Sequence, residues 1–161
     1  MTVAAAKKPK RRPPAIAGWR EHVHLPELGA GPLIAKLDSG ALSASLHAKN
    51  IEAYDKAGSA WVRFDVPADN DRMKARSCDM PLHGERRVKN TGGTSESRFV
   101  IETQIRLGEE QWQAQVTLSD RTDMGVPMLL GRATIRGRFL VNPARSFVHS
   151  TNKRVKKVKP S

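Results

Sequence analysis

The 161-residue sequence predicts an all-β, single-domain fold. Three observations carry that expectation. Ser97 to Gly108 and Trp112 to Leu118 alternate apolar and polar side chains around Glu109-Glu110-Gln111, the pattern of two strands joined by a turn. Shorter apolar runs stop at Pro26, Pro67 and Gly131, residue types that end strands. Only Ala133 to Arg136 reads as a helical turn, and no internal repeat is present. The length fits one domain, and the stretch 18–149 is long enough to bury a core of its own.

Taken in order, Glu21 to Pro26 is a short strand, and Leu33 to Leu37 is a strand running into Asp38-Ser39-Gly40. Ser45 to Tyr54 leads out of that turn. Lys56-Ala57-Gly58-Ser59 reverses the chain, and Ala60 to Val66 returns with alternation. Asp69-Asn70-Asp71 is a polar loop. Lys74 to Met80 and Arg86 to Lys89 are strand pieces before Asn90-Thr91-Gly92-Gly93-Thr94, whose glycine pair marks a turn tip. After the long hairpin, a polar loop from Ser119 to Asp123 leads to the apolar strand Met128-Leu129-Leu130, which ends at Gly131-Arg132. Arg138 to Val141 is the last core strand.

The net charge of +12 is concentrated at the ends. Lys7, Lys8, Lys10, Arg11 and Arg12 precede Gly18, and Lys153, Arg154, Lys156, Lys157 and Lys159 follow Ser150, with no acidic residue in either segment. Of the 28 basic residues these are ten, which leaves 18 against 16 acidic residues in the body. Residues 1–17 and 150–161 are therefore expected to be disordered basic tails around a domain at 18–149. Their two readings are solubilising segments and contact with a polyanion such as ribosomal RNA. A single cysteine, Cys78, excludes an intrachain disulfide and a cysteine-rich metal knuckle. No run of 18 apolar residues predicts a membrane span, and Met1 to Ala17 lacks the apolar stretch of a secretory leader, so a cytoplasmic protein is expected.

The chemistry points to Asp38. Aspartate supplies a carboxylate that can hold a water, the neighbouring hydroxyl can tie the turn to backbone, and glycine leaves its N–H free to approach the carboxylate. An Asp-Ser-Gly turn followed later by a hairpin, a loop, an apolar-apolar-Gly-Arg strand and a helical turn resembles the retroviral type of aspartic-protease site. A bacterial family resembles the chain more closely. Gly18-Trp19-Arg20-Glu21, Leu25-Pro26-Glu27-Leu28-Gly29, Ala35 to Ala41, Ser45-Leu46-His47-Ala48, Met128 to Arg132 and Gly137 to Val141 are similar to the family often labelled "ATP-dependent zinc protease". It includes the RimB-type proteases, which trim oligoglutamate tails that a partner ligase adds to a ribosomal protein. The resemblance runs from about Gly18 to Phe147. The family usually reads Asp-Thr-Gly-Ala-Arg where this chain has Asp38-Ser39-Gly40-Ala41-Leu42, so a cation beside the turn is missing.

This resemblance implies a closed β-barrel of retropepsin type, equivalent to one half of a pepsin, with Asp38, Ser39 and Gly40 as the catalytic turn. It implies a flap hairpin over Arg86 to Arg98, whose tip Thr91-Gly92-Gly93 covers the substrate. Ala41, Arg87, Lys89, Arg98 and Arg132 are the further substrate-binding candidates. The basic residues would select an acidic peptide, and a solvated strand face is the alternative. In retropepsins an arginine at the place of Arg132 pairs with an acidic residue just after the catalytic turn; here that position is Leu42, so Arg132 lacks that partner.

Peptide hydrolysis by this class needs two carboxylates, one acting as base and one as acid. No second Asp-Ser/Thr-Gly exists in the chain, so a homodimer is expected, each subunit giving one Asp38. There is no His-Glu-x-x-His. His22 and His24 alternate on one strand face and could join His47 or His83 as three ligands, but a polar strand face is the plainer reading, and neither metal nor another cofactor is expected. Cys78 has no nucleophile motif around it, and Ser39 lacks a Gly-x-Ser-x-Gly elbow. The expected activity is aspartic-type endopeptidase hydrolysis of acidic or oligoglutamate-tailed proteins. The rival is a non-catalytic β-domain whose basic tails bind ribosomal RNA or a protein partner.

Overall fold

In a computed structural model, residues 13–89, 92–121 and 125–149 are described. The strands in chain order are β1 (Ala15–Gly18), β2 (Arg20–Leu25), β3 (Ala30–Asp38), β4 (Ala44–His47), β5 (Lys49–Lys56), β6 (Ser59–Val66), β7 (Arg76–Pro81), β8 (Gly84–Lys89), β9 (Ser95–Leu107), β10 (Glu110–Ser119), β11 (Met128–Gly131) and β12 (Phe139–Asn142). One helical turn, α1 (Arg132–Ile135), precedes β12. Six strands form a ring in the order β10-β4-β11-β3-β2-β9, closed by antiparallel pairing of β9 with β10. The fold is thus the expected closed all-β barrel. A three-stranded sheet, β5-β6-β7, and the two-stranded pair β1-β12 complete it.

Alternation fills the barrel. Leu33, Ala35 and Leu37 of β3, Val23 and Leu25 of β2, Ile101, Ile105 and Leu107 of β9, Val116 and Leu118 of β10, and Met128 and Leu130 of β11 are all buried. Each large aliphatic side chain taken from water contributes roughly 1.5–3 kcal/mol. The β5–β6 turn has Ala57 at φ 53° and Gly58 at φ 87°, positive at both central positions as a tight two-residue hairpin requires.

Several expectations change. The N-terminal tail does not run to Ala17, because Ala15–Gly18 is a strand paired in parallel with β12. β12 itself lies in this outer pair, where Leu140 is 56% exposed. Ser45 to Tyr54 is two strands: β4 pairs with β10 and β11 in the barrel, β5 joins the outer sheet, and the break falls at Ala48, whose N–H donates to Ser119 O at 3.0 Å. Asp69-Asn70-Asp71 is no ordinary solvent loop. Asn70 is buried, its Nδ2 donates to Pro32 O, and Asp69 Oδ2 accepts Ile34 N–H at 3.1 Å. The tail segments 1–12 and 150–161, and residues 122–124 of the polar loop, lie outside the described residues.

Glu21 points inward from β2 and is fully buried. A buried carboxylate is costly unless hydrogen-bonded. Here Gly18 N donates to Oε2 at 2.6 Å, Val148 N to Oε2 at 2.9 Å and His149 N to Oε1 at 2.9 Å. Beside it Trp19 N donates to Arg145 O (3.0 Å) and Phe147 N to Arg20 O (2.8 Å). A Cβ on Gly18 would sit 2.5 Å from Arg145 O, so only glycine admits the segment this close. The Gly18-Trp19-Arg20-Glu21 stretch is therefore a clamp that holds residues 145–149 across the barrel. Glu21→Ala should lower the unfolding free energy by about 3 kcal/mol, since it strands backbone donors that lack other partners. Urea melts would measure this, and a loss under about 1 kcal/mol would show that water replaces the carboxylate.

Candidate active site

β3 delivers Asp38 at its last position, and parallel pairing sets Leu130 beside Leu37 and Gly131 beside Asp38. β11 is also antiparallel to β4, with Met128 opposite Leu46. The strand leading into the turn and the strand leaving it are thus both bound to β11. Within the turn, Gly40 N–H donates to Asp38 Oδ1 at 2.9 Å and Ala41 N–H to Asp38 O at 3.2 Å. Arg132 N then donates to Ala41 O (2.8 Å) and Ala133 N to Leu42 O (3.0 Å), so the first residues of α1 lock the turn from below. A Cβ on Gly131 would fall 2.5 Å from Ser43 O and 2.6 Å from the Leu42 carbonyl carbon. The apolar strand ends in glycine because the turn lies directly against it.

Asp38 is half-buried, and one of its oxygens is held by Gly40. Ser39 is exposed. Among the described residues the tie on the carboxylate comes from the Gly40 N–H rather than from the Ser39 hydroxyl. Arg132 aims its guanidinium at the turn's own backbone, with Nη1 at 3.4 Å from both Ser39 O and Gly40 O. Leu42 itself is 55% exposed beside the turn.

The flap candidate is a regular antiparallel hairpin, with Arg86 opposite Arg98, Arg87 opposite Ser97 and Lys89 opposite Ser95. Thr91 lies outside the described residues, while Gly92 and Gly93 are exposed and Gly93 has φ 81°. The hairpin's two faces sort the basic residues differently from the sequence expectation. Arg98 is 7% exposed and its Nε donates to Glu96 Oε1 at 2.6 Å, an ion pair within its own strand. Arg87 and Lys89 share the exposed face. Arg86, passed over in the sequence, shares the inner face and reaches Gln115 Oε1 at 2.7 Å. The period-two alternation of β8 contained this signal, but only the pairing with β9 fixes which face is inward.

The histidine candidates do not converge. His22 stacks on Phe147 at 4.6 Å, His47 Nδ1 accepts Arg121 N–H at 3.0 Å, and His83 lies beside Gln115 and Glu102. Among the described residues no group of three or more His, Cys, Asp or Glu is placed to hold a metal ion, so the donor set does not fit the zinc of the family label. His22 and His24 instead line a cavity of about 740 Å³ with Arg72, Arg106 and His149. From β3 it is lined by Pro32, in the strand's first half, whereas Asp38 is the strand's last residue. Cys78 is buried, and burial, reinforced by Asp65, pushes its thiol up to about 11, which leaves it protonated and inert.

A β-barrel with an Asp-Ser-Gly turn locked over an apolar-apolar-Gly strand defines an aspartic-peptidase-type scaffold. The chain belongs to the RimB-like family, retropepsin-like aspartic endopeptidase RimB, which it matches over residues 16–152. It is 42% identical over 130 residues to a probable alpha-L-glutamate ligase of Desulfotalea psychrophila, covering 80% of this chain and 28% of that protein. A probable alpha-L-glutamate ligase of Parasynechococcus marenigrum is 43% identical over 132 residues, 81% of this chain and 28% of the relative. The chain therefore spans little more than a quarter of these curated relatives. The crystal structure of a Legionella pneumophila protein of unknown function superposes with a TM-score of 0.70 at 35% identity, covering 84% of this chain and 98% of that one. No helix among the described residues is long and apolar enough to cross a membrane.

The paired histidines give the fold a pH dependence. Burial holds His22 below the ordinary histidine range against the opposing pull of Asp69, and burial, Arg106 and Arg72 together lower His24. The folded state thus favours neutral imidazoles, whereas the unfolded chain takes up protons near pH 6.5. Stability should be full above that value and decline as pH falls below it toward the folded values. Urea melts from pH 7 to pH 5 should show the decline, and His22→Gln/His24→Gln should flatten it. An unchanged slope in that double variant would remove the histidines from the account.

Proposed function

We propose that the chain is an aspartic endopeptidase that works as a homodimer on acidic, glutamate-bearing tails. The observation that carries the reading is Asp38 itself, a half-buried carboxylate with one oxygen fixed by Gly40 N–H and the other taking no hydrogen bond from the described residues. One such turn per chain supplies half of what the chemistry needs. A twofold axis through the turn would bring a second Asp38 against the first, and the exposed Leu42 and Ser39 lie where such a contact would form. Two facing carboxyls share one proton around a water. The ionised one takes a proton from the water as its oxygen attacks the peptide carbonyl. The protonated one donates to the carbonyl oxygen, and the leaving nitrogen receives a proton as the tetrahedral intermediate collapses.

The acidic substrate rests on the relatives. Chains named as probable glutamate ligases carry a segment similar to this one, so a protein tailed with glutamates, the product of such a ligation, is the natural substrate of a peptidase found with it. The reaction consumes what a glutamate-joining reaction supplies.

Asp38→Asn should abolish cleavage of an oligoglutamate-tailed peptide by at least a thousandfold while the melting curve stays unchanged. Heterodimers with one mutant subunit should be inactive too. Full activity in a dilute, demonstrably monomeric sample would defeat the shared dyad, and binding of ribosomal RNA without any turnover would favour the non-catalytic alternative.

Because no step uses a metal, EDTA or phenanthroline should leave the rate of peptide cleavage unaltered. Loss of activity that returns on adding Zn²⁺ would instead require ligands outside those described.

A further inference from the structure

A cavity of about 270 Å³ opens between the catalytic turn, the root of the flap hairpin and the end of α1. Ser43, whose carbonyl abuts Gly131, forms one wall. Arg86 of β8, Arg136 and Arg138 beyond α1, and Trp112 and Gln115 of β10 form the rest. Three guanidiniums from distant parts of the sequence meet here, and no acidic residue lines the space. Among the described residues none of the three forms an ion pair, although Arg136 and Arg138 also border a second cavity with Glu109 and Glu110.

Two of the arginines are held without being neutralised. Arg86 Nη2 donates to Gln115 Oε1 at 2.7 Å, and the Arg138 guanidinium lies 5.0 Å from the centre of the Trp112 ring. Stacking and a neutral amide fix the orientation of a cation and leave its charge intact. Like charges gathered around one recess repel one another, and an anion entering the recess relieves that repulsion. The planar fork of arginine matches a carboxylate. The volume falls below the roughly 300–1,000 Å³ typical of small-molecule sites and suits side chains instead.

We propose that this recess is a subsite for glutamate side chains of the substrate lying a few residues from the scissile bond. The proposal rests on the acidic-peptidase reading and deepens it: Arg86, Arg136 and Arg138, rather than Arg87, Lys89 and Arg98, select the acidic tail. They also supply the positive surroundings that Leu42 removes from the turn itself.

The test measures binding and turnover separately. A fluorescent peptide with a glutamate tract and its glutamine counterpart are titrated against the full-length Asp38→Asn protein, and both are assayed with the active protein. Arg86→Ala, Arg136→Ala and Arg138→Ala are compared with Arg87→Ala, which removes the same charge from the hairpin's other face. Each inner arginine should weaken binding of the glutamate peptide about two- to fivefold, and Arg136→Ala/Arg138→Ala about tenfold. KM should rise in parallel while kcat holds, the glutamine peptide should be unaffected, and added salt should erase the difference. Arg136 is exposed, so Arg136→Ala keeps the test readable if Arg138→Ala, which loses the Trp112 stack, fails to fold. Equal weakening by Arg87→Ala, or displacement of the peptide by an RNA oligomer of matched charge, would show a general polyanion surface and overturn the subsite. Selective binding to Asp38→Asn with no turnover by the active protein would uphold the subsite and overturn the peptidase reading. Turnover with no selectivity would do the reverse.

Discussion

Everything at the candidate site depends on how closely one strand can approach one turn. β11 lies between β3 and β4, parallel to the first and antiparallel to the second, and it ends where the turn joining them crosses overhead. The approach is so close that a single methyl group at Gly131 would meet the carbonyls of Leu42 and Ser43. That closeness lets Arg132 and Ala133 donate their first N–H groups to the turn, which in turn sets the backbone that positions the Asp38 carboxylate. The tolerance is a fraction of an ångström and involves main chain on both sides, so side-chain adjustment cannot absorb an error.

The parts of this arrangement that were legible in the sequence are those governed by local periodicity. The alternation of 97–107 and 112–118 survives as β9 and β10, and the Asp-Ser-Gly turn and the Met-Leu-Leu-Gly strand occupy the relation their residue types suggest. Local pattern failed where long-range pairing decides. Ser45 to Tyr54 reads as one run because nothing in its side chains announces that the strand changes sheets at Ala48. Ala15 to Gly18 is too short and too plain to read as a strand, and it becomes one only because β12 lies beside it. Glu21 and Asn70 look like surface residues by type, and their burial follows from backbone groups contributed by distant segments.

The basic residues of the β8–β9 hairpin illustrate the same limit. Arg86 and Arg87 are neighbours in the chain and opposites in space, since successive side chains of a strand point to opposite faces. A charge count cannot tell which of them faces inward. Register can, and the pairing of Arg86 with Arg98 decides it. Arg98 pairs with Glu96, while Arg136 and Arg138, from beyond α1, join Arg86 around one recess.

The clamp built on Glu21 has a consequence for how the domain can be used. It brings the two ends of the described body together: His149 Nε2 lies 2.7 Å from the carbonyl of Ile16, which itself belongs to β1 and pairs with β12. A body whose incoming and outgoing strands meet at one point can hang from a longer polypeptide like a bead on a loop, because inserting it leaves the host chain's path almost unchanged. The same geometry ties the two margins of the described body to each other through the Glu21 hydrogen bonds and the β1–β12 pair.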